Sequence, residues 1–315
     1  MNIQIKIPEG FLNEEERIGY TVDSKMKRVW AVQLDLLHEL KTVCEKYGLT
    51  YFADSGTLIG AIRHKGYIPW DDDIDIVMKR KDYEKLVAVA EKEFHHPYFL
   101  QSAHSEIFPR GYARLRNSDS TALTRFDFGK DINHGIFIDI FPLDLIPDNQ
   151  EEMNGWLRRI IRLSSLIAMG SGSRNRKPDS RLYGIKRVIA KTVYTAVGYK
   201  KLIERYERLC GKYNDQDTKR ISYVAYSKGK PKHIWESKCF QSGHKVPFEF
   251  TEIVIPDGFD SRLKTEYQDY MRIVRSGTTH GDMILDADTP YRAFLEAHSE
   301  DELKAWFNER RGEQR

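Results

Sequence analysis

The sequence predicts an α/β (α+β) protein in which a mixed sheet is flanked by helices. In the first third of the 315-residue chain, segments with helical spacing of apolar residues alternate with short runs of β-prone residues. After Asn149 the pattern becomes helical and rich in Lys and Arg, and it becomes mixed again toward the C-terminus. We therefore predict a core over residues 1–150, a basic helical segment over 151–215 and a C-terminal region over 216–315 that completes the core domain.

The first predicted element is a helix from Asp23 to Tyr47. Apolar residues recur in it at helical spacing, Asp23 or Ser24 can cap its start, and Gly48 follows its end. Further patterns predict strands at Leu49–Ala53, Ile74–Met78, Tyr98–Leu100, Tyr112–Arg116 and Gly135–Phe141, and helices at Leu58–Arg63 and Lys81–Phe94. The strand at Gly135–Phe141 is apolar on both faces except for Asp139, which predicts a central strand, and we expect Pro142 to end it.

Beyond residue 150 the predicted elements are mainly helical. We predict helices at Glu151–Met169 and Leu182–Tyr213, joined by a flexible basic loop. Short strands follow near Phe248–Ile255, and further helices near Ser261–Arg275 and Glu300–Asn308.

Composition and charge limit the class of protein. Hydrophobic residues make up 40% and charged residues 31%, so the chain can bury a sizeable core and is neither disordered nor collagen-like. The 50 Lys and Arg nearly balance the 47 Asp and Glu, which argues against a nucleic-acid-binding protein. The segment from Trp156 to Tyr213, however, holds 15 Lys and Arg against 3 Asp and Glu. It can bind an anionic membrane surface, bind an anionic glycan or lipid-pyrophosphate acceptor, or form a solvated face, and we favour the first two.

The sequence also indicates a location. The first residues carry charges without the apolar core of a signal peptide, and no run approaches the ~18 apolar residues of a membrane-spanning helix. Cys44, Cys210 and Cys239 are far apart, which is typical of reduced thiols in a cytosolic protein. We expect a cytoplasmic protein, peripheral to the inner face of the cell membrane if the basic segment binds there.

The densest chemical signal is the run WDDDIDI at residues 70–76. Side chains two apart on a strand share a face, so Asp73 and Asp75 point the same way. Two carboxylates this close ionise together readily only if a cation lies between them, and oxygen ligands suit Mg²⁺ or Mn²⁺. Asp139 is an isolated acid in an apolar run and is the candidate third carboxylate, as a metal ligand or a proton acceptor. We predict Asp73, Asp75 and Asp139 as the catalytic and metal-binding residues.

A strand-to-helix turn before these acids is a candidate phosphate site. Gly56 allows close approach of the backbone, and the helix that follows offers free N–H groups. The Thr57 hydroxyl can add a donor, and Arg63 can reach the same phosphate with a forked pair of hydrogen bonds.

Three more residues are candidates for substrate binding. Arg114 and Arg116 share one face of their predicted strand, where they bind a diphosphate or form a solvent-exposed basic face. His280 lies in a predicted loop and can act on the leaving group or the acceptor, although a loop histidine is more often only solvated.

Three stretches of sequence resemble the LicD family, which shares its core with fukutin and the fukutin-related proteins. They are GTLIGAIRH at 56–64, IPWDDDIDI at 68–76 and IDIFPLD at 138–144. Residues 247–271 also resemble the family's C-terminal signature, although Gln268 stands where the family often has glycine. The likeness runs from about Met26 to about Asp282 and is weakest in the basic segment.

The resemblance implies a nucleotidyltransferase-type fold with its catalytic core in residues 1–150 and Mg²⁺ as the usual cofactor. It implies transfer of a phosphocholine-like or phosphoalditol group from a CDP-linked donor to a hydroxyl of a cell-surface glycan or its lipid-linked precursor, with release of CMP. By motif match, Asp73, Asp75 and Asp139 are the acids, and Gly56, Thr57 and Arg63 hold phosphate. Two alternatives stay open: a nucleotidyltransferase that moves NMP from an NTP and releases pyrophosphate, and a non-catalytic module that binds nucleotide or nucleic acid. The transferred group, the acceptor and the oligomeric state stay open as well.

Overall fold

The structure is a computed structural model that describes residues 1–125, 127–172, 181–275 and 283–313. Its strands are β1 (Glu15–Arg17), β2 (Tyr20–Val22), β3 (Phe52–Ala53), β4 (Asp75–Lys79), β5 (Tyr98–Gln101), β6 (Ala113–Asn117), β7 (Thr121–Thr124), β8 (Ile136–Ile146), β9 (Arg220–Ser222), β10 (Trp235–Glu236), β11 (Gly243–Phe248), β12 (Thr251–Pro256) and β13 (Met283–Asp286). Its α-helices are α1 (Ser24–Tyr47), α2 (Ser55–Arg63), α3 (Arg80–Glu93), α4 (Gln150–Gly170), α5 (Arg181–Val197), α6 (Tyr199–Cys210), α7 (Val224–Ser227), α8 (Phe259–Tyr267), α9 (Tyr291–Ala297) and α10 (Glu300–Glu313).

The predicted mixed sheet flanked by helices is confirmed, and β8 is its central strand. On one side β8 pairs in parallel with β4, which in turn pairs with β3 in the antiparallel sense. On the other side the first half of β8 pairs with β6, and its end pairs with β9, both antiparallel. The outer strands β5 and β10 extend these two branches. Strands of both senses therefore meet at β8, where their side chains can be brought into one row.

The sheet buries side chains on both faces. Alternate residues of β4 and β8, such as Ile76 and Ile140, pack against the apolar side of α1 in the largest core cluster. The intervening residues Val77 and Phe141 pack on the opposite face with residues of the C-terminal region, among them Trp235. Because both faces are covered, polar side chains on this second face lie in a desolvated setting unless a cavity opens beside them.

Helix α1 follows the sequence prediction closely. The Asp23 side chain accepts a hydrogen bond from the Met26 backbone N–H at 2.7 Å and caps its start. Gly48 ends it in the left-handed conformation, with φ of 63°. The predicted helices at Leu58–Arg63 and Lys81–Phe94 correspond to α2 and α3.

Several predicted boundaries differ from the structure, and two of them have a clear physical reason. Pro142 does not end its strand, because it lies where β8 changes partners: in the described residues the pairing with β6 ends at Ile140 and that with β9 begins at Asp144. A missing N–H costs little at such a switch. The single helix predicted over Leu182–Tyr213 is interrupted at Gly198, whose φ of 85° is incompatible with a continuous helix and separates α5 from α6.

The basic segment forms its own helical layer. Helices α4 and α6 bury a separate apolar cluster, to which Trp156, Ile160, Ile203 and Tyr206 belong. Within the ranges described above, none of the helices combines the length and apolarity needed to cross a bilayer. The division into 1–150, 151–215 and 216–315 stays a prediction, although β9 and β10 of the last region join the central sheet.

Candidate active site

Three carboxylates meet at the point where β4 enters the sheet. Asp75 is the first residue of β4 and lies directly across from Asp139 of β8 in the parallel register. Asp73 lies two residues before Asp75, and one carboxylate oxygen from each of the three residues lies within 4.8 Å of the others. The fold thus brings together residues 73, 75 and 139, as the sequence prediction requires.

The loop that carries the acids is fixed by side chains from two helices. From α1, the Trp30 indole N–H donates to the Asp71 carbonyl at 3.0 Å, and the Gln33 amide donates to the Asp72 carbonyl. From α2, the Thr57 hydroxyl accepts from the Asp75 N–H at 2.8 Å and donates to the Asp73 carbonyl at 3.3 Å. These bonds fix the backbone of the loop from Asp71 to Asp75 and thereby the position of the acids that it carries.

Electrostatics make the cluster unfavourable in the absence of a cation. Burial raises the pKa of Asp75 well above its usual range, and the negative charges of Asp73 and Asp139 raise it further. Three carboxylates with oxygens within 4.8 Å supply hard ligands at a spacing that suits one divalent cation. The residues present therefore fit Mg²⁺ or Mn²⁺, with Asp73, Asp75 and Asp139 as the ligands.

Arg114 extends the row of acids across the sheet. It lies opposite Asp139 in the antiparallel register between β6 and β8, and its Nε donates to Asp139 Oδ1 at 2.7 Å. Its guanidinium packs 3.8 Å from the centre of the Phe137 ring. Arg114 is only 3% exposed. Its Nη1 has no hydrogen-bond acceptor among the residues that the structure describes, and it lies 3.8 Å from Asp127 Oδ2. A buried N–H without an acceptor, beside a cavity, is suited to an incoming anion.

A second arginine near the acids, Arg110, is held in place by the carboxylate of Asp127. Arg110 Nη2 donates to both oxygens of Asp127, and Lys130 Nζ donates to Asp127 Oδ1 at 2.9 Å. Burial alone would raise the pKa of Asp127, but the positive charges of Arg110, Lys130 and Arg114 hold it well below its usual range. Asp127 therefore stays ionised and anchors the arginines on one side of the acids.

Two adjoining cavities share Asp73 and Asp75 as part of a common wall. The inner cavity, of about 260 Å³, is lined by Asp139, Arg110, Arg114, Arg125 and Phe141 among others. The outer cleft, of about 590 Å³, is lined by Gly56, Arg63, Trp70, Lys230 and Arg272 among others. Ser55, Asp73, Asp75, Tyr223 and Tyr226 line both. A ligand that extends from one cavity into the other must therefore pass the carboxylates.

An aromatic wall closes the inner cavity. It is formed by Tyr112, Phe141, Tyr223 and Tyr226, whose neighbouring ring centres lie between 4.8 Å and 6.1 Å apart. Tyr226 is half exposed and lines both cavities. Sequence reasoning missed this wall because its members come from three distant segments that share no motif. The alternation on β6 and β8, which places Tyr112 and Phe141 on the same face as Arg114 and Asp139, is the one available signal.

The three residues predicted to hold phosphate all lie on α2, at different positions along the helix. Gly56 lies at the start of α2, where a Cβ would come within 2.4 Å of Asp71 Oδ2. Arg63, at the other end of α2, donates from Nη1 to the carbonyls of Tyr270 and Arg272. Both residues line the outer cleft, and their contact with phosphate stays a prediction. Contact of Thr57 with phosphate also stays a prediction, and its hydroxyl is already engaged with the backbone of the acid loop.

Arg116 requires a correction. It is fully buried, with 0% exposure, and donates to Gln101 Oε1 and to the Gly135 carbonyl, so it can neither contact a ligand nor form a solvent-exposed basic face. Burial lowers the pKa of Arg116 to about 9, and the neighbouring charge of Arg114 adds to this. His280 lies outside the described residues, and its role stays a prediction.

Fold and site together define a mixed-sheet α/β protein with a carboxylate-lined cleft. Residues 48–160 match the family model described as LicD/FKTN/FKRP, nucleotidyltransferase domain. The chain is 26% identical over 243 residues to the lipopolysaccharide cholinephosphotransferase LicD of Haemophilus influenzae, an alignment that covers 77% of this chain and 89% of that protein. An uncharacterized protein of Rickettsia prowazekii is 30% identical over 138 residues, which is 44% of this chain and 47% of that protein. The resemblance to the LicD family that the motifs predict is therefore confirmed, and the family model covers residues 48–160.

Proposed function

We propose that the protein is a metal-dependent phosphotransferase. It moves a phosphocholine-like group from a CDP-activated donor to a hydroxyl of a cell-surface glycan or its precursor, and it releases CMP. The LicD-family match and the likeness to a cholinephosphotransferase support a phosphotransferase role. The observation that carries the proposal is the row Asp75, Asp139 and Arg114 across three paired strands, with Asp73 beside it, at the junction of two cavities.

The two cavities suit the two substrates of such a transfer. The inner cavity combines Arg110 and Arg114 with an aromatic wall, which suits a diphosphate and the base or substituent attached to it. The outer cleft is wider and carries Lys230 and Arg272, which suits an anionic glycan or lipid-linked acceptor. In this arrangement the donor phosphate and the acceptor hydroxyl approach each other at the carboxylates.

The chemistry assigned to the chain's own residues is positioning and charge compensation. Arg114 Nη1 and Arg110 bind the diphosphate oxygens, and Arg114 Nε orients Asp139. The acceptor oxygen forms a bond to the transferred phosphorus while the bond from that phosphorus to the CMP oxygen breaks. The hydroxyl proton passes to a carboxylate oxygen of Asp139. A divalent cation held by Asp73, Asp75 and Asp139 would supply further neutralisation of the diphosphate charge.

A panel of CDP-linked donors tests the proposal. The purified protein is incubated with Mg²⁺ and CDP-choline, CDP-ethanolamine, CDP-glycerol or CDP-ribitol, with and without lipopolysaccharide, and CMP and the mass of the acceptor are measured. We expect acceptor-dependent CMP release with one donor preferred, and loss of both signals in Asp73→Asn. Transfer of a nucleotide from an NTP with release of pyrophosphate would instead identify a nucleotidyltransferase. Nucleotide binding with no product from any donor would identify a non-catalytic module.

A further inference from the structure

Helix α5 has an unusual distribution of side chains for a surface helix. Its inward face is narrow: Ala190 is buried, and Tyr194 packs so closely on α4 that a Cβ at Gly170 would come within 2.4 Å of the Cβ of Tyr194. The opposite face carries Ile185, Val188 and Ile189, which are 57%, 66% and 57% exposed. A surface helix normally buries its apolar face and exposes its polar face, whereas the exposed face of α5 is apolar.

The exposed apolar residues form one continuous stripe. Positions 185, 188, 189, 192 and 196 follow the spacing of a single helix face, and all five are exposed. Thr192 and Ala196 complete the stripe, which contains no charged residue between positions 185 and 196. Scattered apolar residues on a protein surface need no explanation, but an aligned stripe of this kind marks a contact surface.

Cations border the stripe. Lys186 and Lys191 flank it on its two sides, and Arg187 lies beyond Lys191 toward the inward face. The adjacent helices add exposed cations at Arg158, Arg162, Lys200 and Lys201. An apolar stripe between rows of Lys and Arg is complementary to a bilayer with anionic headgroups, into which the stripe inserts while the cations stay at the headgroup level.

We propose that α5 is an interfacial helix that binds the protein to anionic membrane surfaces. The stripe Ile185, Val188 and Ile189 enters the headgroup region, and Lys186, Arg187 and Lys191 contact lipid phosphates. This inference does not depend on the proposed reaction, because it concerns helices packed on a core cluster separate from that around the acids. Failure of the transferase assay would leave it intact.

Fluorescence of a labelled variant tests the insertion directly. Cys44, Cys210 and Cys239 are all buried, so a cysteine introduced as Val188→Cys can be labelled selectively with an environment-sensitive fluorophore. We expect a blue-shifted and several-fold brighter emission with vesicles of phosphatidylcholine and phosphatidylglycerol, and little change with phosphatidylcholine alone. The same label at Ile18→Cys, another exposed position, on the β1–β2 hairpin, is expected to show no shift.

Vesicle co-sedimentation separates the apolar and ionic contributions. Replacing Lys186, Arg187 and Lys191 together by Gln is expected to lower the partition constant at low salt on the order of a hundredfold, since each cation near an anionic surface contributes about fivefold. Replacing Ile185, Val188 and Ile189 together by Ser is expected to lower it at least about tenfold. Lys92→Gln on α3 is the charge control and is expected to bind as the wild type does. Because all six side chains are exposed, circular dichroism and melting temperature should stay unchanged.

Three results would overturn the inference. The first is no retention of the wild type by vesicles containing phosphatidylglycerol at low salt. The second is binding to dextran sulfate without binding to vesicles, which would identify an anionic glycan site. The third is a wild-type dimer in sedimentation velocity that the Ser variant converts to a monomer while vesicle binding is unaffected, which would identify α5 as a self-association surface.

Discussion

Replacing Asp75 by Asn tests whether the acid cluster lowers the stability of the fold and is at the same time required for turnover. The side chain keeps its shape but loses its charge, so the repulsion by Asp73 and Asp139 disappears together with one of the three carboxylate ligands. We therefore expect the variant to be more stable than the wild type without divalent cations, and inactive in CMP release. A residue important only for folding would show the opposite pair of effects.

The expected gain in stability of Asp75→Asn follows from the spacing of the carboxylate oxygens. Two unit charges no more than 4.8 Å apart interact by at least about 3.5 kcal/mol at an effective dielectric constant of about 20. The wild type relieves part of this repulsion by binding a proton and through the ion pair between Asp139 and Arg114. We therefore expect a net gain on the order of 1–3 kcal/mol in the free energy of unfolding, or roughly 2–8 °C in melting temperature.

The difference in stability between Asp75→Asn and the wild type depends on pH. Because the pKa of Asp75 is higher in the folded state than in the unfolded chain, the folded protein binds the extra proton, and stability is lost as pH rises from the unfolded value near 4 toward the raised folded value. The difference in melting temperature between Asp75→Asn and the wild type should therefore be small near pH 4 and grow toward pH 8. Saturating Mg²⁺ should raise the melting temperature of the wild type and have little effect on the variant.

Differential scanning fluorimetry without metal and with Mg²⁺, together with CMP release, measures all three effects. Asp127→Asn is a matched control, because the pKa of Asp127 is lowered in the folded state and its loss leaves Arg110 and Lys130 without their carboxylate. That variant should be destabilised by about 3–5 kcal/mol at neutral pH. The reasoning is refuted if Asp75→Asn keeps turnover within about tenfold of the wild type, or if Mg²⁺ stabilises it as strongly as the wild type.

Three further substitutions test single contacts. Arg114→Lys keeps the charge but loses the forked geometry, so the KM for the donor should rise about tenfold with a smaller change in melting temperature; an unchanged KM would contradict a role in donor binding. Gly60→Ala places a Cβ 2.3 Å from the Gly66 carbonyl oxygen and should lower stability by about 1–3 kcal/mol in a denaturant titration, whereas unchanged stability would contradict the tight packing. Gly56→Ala brings a Cβ within 2.4 Å of Asp71 Oδ2, at the end of that side chain and away from any backbone atom, so melting should change by less than about 2 °C while turnover falls about tenfold or more; a large loss of stability without loss of turnover would contradict this.

The sequence predicts the acids because strand alternation is a local rule. Asp73 and Asp75 share a face if the extended conformation of the strand continues back to residue 73, and an isolated Asp139 in an apolar run needs a partner. The same rule correctly places Arg114 and Arg116 on one face, but it does not say how far each lies from the cavity. Residues 113–117 are all buried, and only Arg114 of the two arginines lines the inner cavity.

Features that depend on distant segments escape local rules. The aromatic wall combines Tyr112 and Phe141 with Tyr223 and Tyr226, from the far side of the basic segment. The bidentate ion pair of Arg262 with Asp54 likewise joins residues 208 positions apart. It fixes α8 against the residue that precedes α2, so the C-terminal region helps to orient the helix start beside the acids. No pattern in the sequence pairs these two residues.

The geometry of the site is, in the end, a consequence of strand register. Asp75 faces Asp139 only in the observed parallel pairing of β4 with β8, and a slip by one residue would place one of the two carboxylates in the apolar core. The opposite ends of these strands are tied together: Arg80, which directly follows β4, forms a bidentate ion pair with Asp144 of β8 at 2.8 Å and 2.6 Å, and both side chains are buried. A buried ion pair adds little net stability but penalises any register that separates its charges. The Asp144 that closes the third family-like stretch thus has a structural reason to accompany Asp139: it holds the register that brings the three carboxylates together.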